Sequence, residues 1–191
     1  MTALIFGVTL VLPALADNYY NYAVRGYPVC REMPVKVYFN RTPGVKNWSS
    51  KNMWIARNAM RLWQEATKNR VRFTEVASPS SADAILTWQA TYKDPASGQY
   101  LGGITSSGRS GEKITNARTI LTTTHPTKGY AYNDTQLAAN TNHEFGHILG
   151  IKGHSPNPTD LMSHTPTSMR SLSPTARDVE TLNMIYDHCG R

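Results

Sequence analysis

The 191-residue sequence is short of cysteine, of acidic side chains and of long apolar runs. It has 2 cysteines, and its 13 Asp and Glu stand against 20 Lys and Arg, for a formal net charge of +7. The basic residues are scattered without a run of four, so the charge indicates a basic surface rather than a binding site for nucleic acid. No repeat, low-complexity segment or internal boundary divides the chain, and its length fits one domain.

The longest apolar stretch lies at the N-terminus. Ala3 to Leu12 is almost entirely apolar, and Ala14-Leu15-Ala16 has the small-x-small pattern of a cleavage site. Residues 1–16 are therefore predicted to be a secretory signal peptide; the alternative is a buried N-terminal strand or helix. Spanning a bilayer takes roughly 20 apolar residues, so no membrane span is expected once the signal is removed. The predicted mature domain, 17–191, is secreted to an extracellular or periplasmic space.

Hydrophobic periodicity predicts an α+β domain. In the first predicted strand, Val35, Val37 and Phe39 alternate with polar neighbours. The pattern predicts a sheet of about five strands, at residues 35–39, 71–76, 84–88, 100–105 and 114–124. Three helices are expected, from Ser49 or Ser50 to about residue 69, from Asn133 or Asp134 to Gly150, and from an N-cap at Ser173. Residues 17–31 are interpreted as an extended lead-in, and 106–113 as a Ser/Gly turn.

The segment from His143 to His154 carries the chemistry. His143 and His147 are four residues apart, so on a helix both imidazoles point to the same side. Gly150 can adopt the left-handed conformation that ends a helix, which lets the chain return and bring His154 as a third ligand. Three histidines leave the fourth position of a tetrahedral zinc ion open, which is typical of a catalytic site. Glu144, beside the first ligand, is the predicted general base for the zinc-bound water.

Other ligand sets stay open at this point. Asp160 and His164 are competing third ligands, and His164 is alternatively a transition-state donor or an ordinary loop histidine. Glu180 is the only glutamate after Glu144, and it would be the third ligand if the site took a glutamate from a later helix. That alternative leaves Gly150 and His154 without a role.

The sequence resembles a known family, the matrixin-type metzincins, and more closely their small secreted bacterial-style members. The resemblance covers about residues 33–187 and is specific between His143 and Met162; it rests on His143 to Gly150, His154-Ser155, and Asp160-Leu161-Met162, with Asp178, Leu182 and Tyr186 in the last helix. The third histidine comes one residue later than usual, and Gly153 stands in its place.

The resemblance implies further features. It implies a twisted mixed sheet with a metzincin-like arrangement, a methionine turn at Met162 beneath the zinc, and a peptide substrate lying extended along Leu101, Gly102, Gly103 and Ile104. No segment between residues 88 and 101 resembles the family's structural-zinc and calcium loop. We therefore expect a single, catalytic zinc ion, and the sequence does not support a calcium site.

The two cysteines are expected to form a disulfide, because a lone pair in an oxidising compartment usually does. The family resemblance also implies that Cys30 and Cys189 lie close together. The alternative is that Cys30 is an inhibitory thiolate on the zinc.

The leading functional hypothesis is a secreted zinc-dependent endopeptidase whose partners are protein or peptide substrates. A catalytically silent zinc-containing binding or inhibitory module is the alternative, and a basic surface-binding protein with a structural zinc is a third. Glu144 argues against the silent module, because a pure binding site has no use for a base beside a ligand. Three histidines with an open position argue against a structural zinc, because structural sites usually have four protein ligands. The oligomeric state has no signal in the sequence, and a monomer is the default expectation.

Overall fold

The computed structural model describes residues 18–24, 28–164 and 169–190. The predicted signal peptide, residues 1–16, lies outside the described residues. In the described parts of the chain a five-stranded sheet carries helices, which confirms the predicted α+β class.

The main sheet is mixed. Its strands are β1 (Val35–Asn40), β2 (Phe73–Glu75), β3 (Ala84–Gln89), β6 (Gly103–Ser110) and β7 (Lys113–Thr122). The order across the sheet is β2-β1-β3-β7-β6, with parallel pairing except for the antiparallel pair of β6 and β7. Strand β6 therefore forms one edge of the sheet, and β4 (Tyr92–Lys93) pairs separately with β5 (Tyr100–Leu101).

The described residues include four α-helices, namely α1 (Tyr20–Val24), α2 (Ser50–Ala66), α3 (Asp134–Leu149) and α4 (Ala176–His188). The core lies where α2 and α3 pack on alternate side chains of the strands. Phe145 of α3 meets Phe73 of β2 edge to face at 5.3 Å between ring centroids. The indole of Trp63 in α2 donates to the carbonyl of Asn142 in α3 at 3.0 Å, which ties the two helices together.

Several boundaries differ from the predictions. The turn predicted at residues 106–113 is confined to 111–112, because β6 runs through Ser110 and pairs there with Lys113 of β7. The expected extended lead-in contains the short helix α1. The last helix is capped by Thr175 rather than Ser173, because the Thr175 side chain accepts from the backbone amide of Asp178. Strand β3 is fully buried on alternate residues and partly buried on those between them.

A disulfide joins Cys30 to Cys189, across a sequence separation of 159 residues. It links the strand-like segment before β1 to the end of α4. No helix in the described ranges is both long enough and apolar enough to cross a bilayer.

Candidate metal centre

Helix α3 is defined by its caps. Asn133 accepts from the amide of Gln136, and the Gln136 side chain accepts from the amide of Asn133, so the first turn begins with a reciprocal capping box. At the other end Gly150 has a φ of +117°, and the amides of Gly150 and Ile151 donate to the carbonyls of His147 and Gly146. This is a Schellman ending, and it turns the chain back along the helix.

Three histidines converge where the chain turns back. His143 and His147 lie one turn apart on α3, and His154 follows the turn at Gly150. The ring centroids are 4.8 Å apart for His143 and His147, 5.1 Å for His143 and His154, and 4.9 Å for His147 and His154. One nitrogen from each ring lies within 4.8 Å of the others, so His143, His147 and His154 are positioned to bind a metal ion.

Carbonyl groups orient two of these rings. The Nδ1 of His143 lies 2.8 Å from the carbonyl oxygen of Leu161, and the Nδ1 of His147 hydrogen-bonds the carbonyl of Ile151. A carbonyl only accepts, so both Nδ1 atoms carry the proton and both Nε2 atoms keep a lone pair for a metal. Burial and the neighbouring His147 and Arg170 hold the pKa of His143 well below its usual range, which favours the neutral ring that metal binding needs.

Residue 153, directly before the third histidine, has no room for a side chain. The carbonyl of Tyr22 in α1 occupies the space where a side chain on residue 153 would begin. The amides of Lys152 and Gly153 both donate to the carbonyl of Ala23, at 2.8 and 3.0 Å. On the other side of His154, the amide of Ser155 donates to the carbonyl of Met162 at 2.8 Å. The loop carrying His154 is therefore held between α1 and the Met162 segment.

Glu144 lies beside the histidines and is 4 % exposed. Its Oε2 accepts a hydrogen bond of 2.7 Å from the hydroxyl of Thr105 in β6. A Cβ on Gly103 would stand only 2.8 Å from the Cγ and Oε1 of Glu144, so the strand leaves room for the carboxylate by having no side chain there. Burial raises the pKa of Glu144 to about 7, against the lowering effects of Thr105 and Arg170. A divalent cation held by the histidines would lower this pKa again.

The three alternative ligands, Asp160, His164 and Glu180, do not join the group of converging metal-binding atoms. Asp160 is 2 % exposed and accepts from the side chains of Ser155, Thr175 and Arg177. The ring of His164 contacts that of His154 at a tilt of 31°, with ring centroids 3.4 Å apart, and Glu180 lies on α4. Among the described residues, the nitrogens that converge are those of the three histidines alone.

Asp178 supports the turn beneath the site. Its carboxylate accepts from the amides of Leu161 and Met162, at 3.1 and 3.3 Å, and from the phenol of Tyr19. It also accepts from the amide and the hydroxyl of Thr175, each at 2.8 Å. Met162 is fully buried directly against Gly146 of α3. One buried carboxylate thus joins the start of the described chain, the methionine turn and α4.

The histidines open into a cleft of about 750 Å³. Its lining includes Leu101–Thr105 on one wall, residues of α3 such as Asn140, and the wall residues Ser163, His164 and Arg170. Leu101, Gly102, Gly103 and Ile104 therefore line the cleft at the sheet edge, where the resemblance had put the substrate. Sequence reasoning did not find Thr105, Asn140 or Arg170, because no local pattern links them to the histidines.

The donor set fits zinc. Catalytic zinc ions are typically held by three protein ligands, with the fourth coordination position left open for water or substrate. Structural zinc sites instead use four protein ligands. The carbonyls of Leu161 and Ile151 hold the rings of His143 and His147 through their Nδ1 atoms, a contact that fixes the orientation of metal-binding rings.

Comparison with known proteins gives one match and one negative result. A sequence model of the matrixin peptidases matches residues 38–187, which run from β1 into the last turn of α4 and include all three histidines and Glu144. No curated protein matches the chain.

Proposed function

Because the chain belongs to the matrixin family, we propose that it is a secreted zinc-dependent endopeptidase. The single observation that carries the proposal is the convergence of three histidine nitrogens within 4.8 Å of one another, beside the buried carboxylate of Glu144. A module that only bound metal would have no use for a buried carboxylate at this point. Burial raises the pKa of this carboxylate, and a raised pKa suits a base that must work near neutral pH.

His143, His147 and His154 would hold the ion. Zinc bound there supplies Lewis acidity, which polarises a peptide carbonyl and acidifies a water molecule. Glu144 then accepts the proton of the attacking water on its carboxylate and passes it to the nitrogen of the leaving amine. The hydroxyl of Thr105 keeps Oε2 in one orientation, so the carboxylate remains aimed into the cleft.

The free edge of β6 provides the place for the substrate. An extended peptide can add to an exposed strand edge through backbone hydrogen bonds. Gly103 lies against Glu144, and Gly102 lies against Asn140 of α3, so a peptide on this edge passes directly over the proposed base. We assign Leu101, Gly102, Gly103 and Ile104 to this binding edge.

Secretion is the second part of the proposal. It is supported by the apolar residues 3–12 followed by Ala14-Leu15-Ala16, and by the disulfide between Cys30 and Cys189. Expression of the full chain in a secreting host should yield a product that begins at Asp17, as measured by N-terminal sequencing. A secreted product that still contains residues 1–16 would contradict the signal peptide.

The enzymatic proposal is tested with purified 17–191 and denatured casein or gelatin. The wild-type protein should degrade the substrate, lose this activity with a chelator, and regain it with zinc. Glu144→Ala should bind zinc as the wild type does and show no turnover, because the ligands remain and the proton acceptor is gone.

Zinc content measured by mass spectrometry separates the two reasons for failure. If Glu144→Ala holds zinc and cleaves like the wild type, the assigned proton acceptor is wrong. If neither protein cleaves any substrate although both hold zinc, the silent binding module replaces the peptidase.

A further inference from the structure

The cleft is poor in negative charge. Among the described residues that line it, the charged side chains are one anion, Glu144, and two cations, Lys152 and Arg170. A zinc ion would add two further positive charges next to them. Walls of one sign in a low-dielectric cleft concentrate ligands of the opposite sign. The cleft as a whole therefore favours an acidic peptide.

Arg170 is the cation that hydrogen bonds hold in the wall of the cleft. Its Nη2 donates to the Oδ1 of Asn140 in α3 at 2.9 Å, and its Nη1 donates to the carbonyl of Ser163 at 3.2 Å. The same Nη1 lies 3.0 Å from the Nδ1 of His143. That Nδ1 already donates to Leu161, so it does not accept from the guanidinium. These contacts fix Arg170 between α3 and the segment that follows Met162.

The charge of Arg170 has no carboxylate at ion-pair distance in the described parts of the chain. Its Nε is buried and has no hydrogen-bond partner. The carboxylate of Glu144 acts on this charge only from beyond ion-pair distance. Keeping a partly buried guanidinium without an anion in direct contact is costly. Where a protein keeps such a group at the wall of a cleft, a ligand carboxylate is the natural complement, because the guanidinium fork matches carboxylate geometry.

Arg170 also stands close to where a peptide bond would be cleaved. Asn140, which accepts from Arg170, packs against Gly102 of the binding edge. Gly103, the next residue of that edge, packs against Glu144. A side chain of a peptide on this edge, next to the bond above Glu144, can thus enter the cleft between α3 and the wall residues Ser163, His164 and Arg170.

We propose that Arg170 determines specificity by binding the side-chain carboxylate of an Asp or Glu adjacent to the scissile bond. The inference rests on the proposed peptidase function and names its substrate class. Arg170 is here a specificity residue, while the proton transfers stay with Glu144.

The test uses internally quenched peptides that differ only at the two positions flanking the cleaved bond, with Asp, Asn, Glu, Gln, Leu or Lys there. The wild-type protein should prefer the acid to its amide at one of the two positions by about tenfold in kcat/KM, the size expected for one charge-assisted contact. Arg170→Gln should bring the ratio of acid to amide close to one, and Arg170→Glu should favour Lys. An unchanged ratio in Arg170→Gln overturns the proposal.

Two controls locate the effect. Lys152→Gln removes the same charge from the same cleft and should keep the ratio; if it abolishes the ratio as Arg170→Gln does, a general field and not Arg170 selects the substrate. Each peptide is also made with a free and with an amidated C-terminus. Selectivity that follows the C-terminal carboxylate instead of the side chain contradicts the assigned ligand.

A binding measurement keeps the inference separate from the peptidase proposal. Fluorescence anisotropy of labelled acidic and amide peptides on the Glu144→Ala protein needs no turnover. The acidic peptide should bind about tenfold more tightly, and adding Arg170→Gln should remove the difference. If the wild type cleaves nothing, the proposed function fails while this ratio still decides the role of Arg170.

Discussion

Among the described residues, the hydroxyl of Thr105 is the one side-chain donor to the carboxylate of Glu144. Thr105→Val keeps the shape of the residue and removes this donor. We expect kcat/KM to fall about tenfold with zinc content unchanged, since a hydrogen bond to a charged group contributes about 1.5–3 kcal/mol. Peptide kinetics and metal analysis check this prediction.

Thr119→Val is the matched control, because the Thr119 hydroxyl contacts Thr105 at 2.9 Å and not Glu144. Its kcat/KM should stay within about threefold of the wild type, as expected for loss of a neutral hydrogen bond of about 0.5–1 kcal/mol. Equal losses in both variants would mean that packing at this point, and not the bond to Glu144, limits turnover.

Gly103 leaves the space in which the carboxylate of Glu144 lies. Gly103→Ala puts a methyl group 2.8 Å from Oε1, so the carboxylate must move away from the cleft. Turnover should drop by at least about tenfold, because a displacement of about 1 Å at a reacting centre is enough to slow the reaction strongly. Zinc affinity, measured by competition with a chelator, should hardly change. A variant with normal kcat would show that Glu144 has another productive position.

Helix α1 and the loop of the third ligand meet at Gly153. Gly153→Ala would push α1 off this loop, because the carbonyl of Tyr22 already fills the space. Overpacking of this kind costs about 1–3 kcal/mol. The expected result is a lower Tm together with weaker zinc binding, since His154 is next in the chain. Gly44→Ala, at a glycine with no atom within 4 Å of the new methyl, is the control and should change neither.

Asp178 joins three elements through its carboxylate. In the wild type, backbone amides donate to both oxygens of the Asp178 carboxylate. Asp178→Asn replaces one of these oxygens with an NH2 group, which cannot accept, so buried amides lose their partners. We expect the free energy of unfolding to fall by about 2–4 kcal/mol. Asp187→Asn on the same helix removes only an exposed ion pair with Arg70 and should cost less than about 1 kcal/mol. Urea unfolding of both variants compares them, and similar values would refute the role of Asp178.

The elements that the sequence predicts well have local signals. Helix α3 begins at Asn133 and ends at Gly150 because a cap side chain and a glycine mark those residues. The predicted strand at residues 100–105 covers only the start of β6. Residues 106–110 were assigned to a turn because an exposed strand edge rich in Ser and Gly has the composition of a turn, and only its pairing with β7 makes it a strand. The N-cap at Thr175 was missed because Ser173-Pro174 has an equally good local pattern, and contacts to Asp160 and Asp178 decide between them.

For the site, spacing along one helix was enough to predict His143, Glu144 and His147. The position of His154 also follows from the turn at Gly150. The contact between Thr105 and Glu144 joins residues 39 apart in the chain, and that between Arg170 and Asn140 joins residues 30 apart. No sequence period reports such pairs, because they form only when the β6 edge and the segment after Met162 close around α3.

On the scale of the whole molecule, the disulfide restrains the chain from its first strand-like segment to its last helix. Replacing both Cys30 and Cys189 with Ala should lower the free energy of unfolding by about 2–5 kcal/mol, because the cross-link closes a long loop in the unfolded state. Zinc content of the folded protein should remain unchanged, since neither cysteine touches the histidines. An unfolding midpoint in urea equal to that of the wild type would contradict this contribution.

The central claim is that one zinc ion, held by His143, His147 and His154, makes this chain a peptidase. Its most direct test is a titration of chelator-stripped protein with zinc, following the initial rate of cleavage of a quenched peptide. The rate should rise from zero in proportion to added zinc and level off at one ion per chain. Full activity without zinc, or no activity after one ion has bound, would contradict the account.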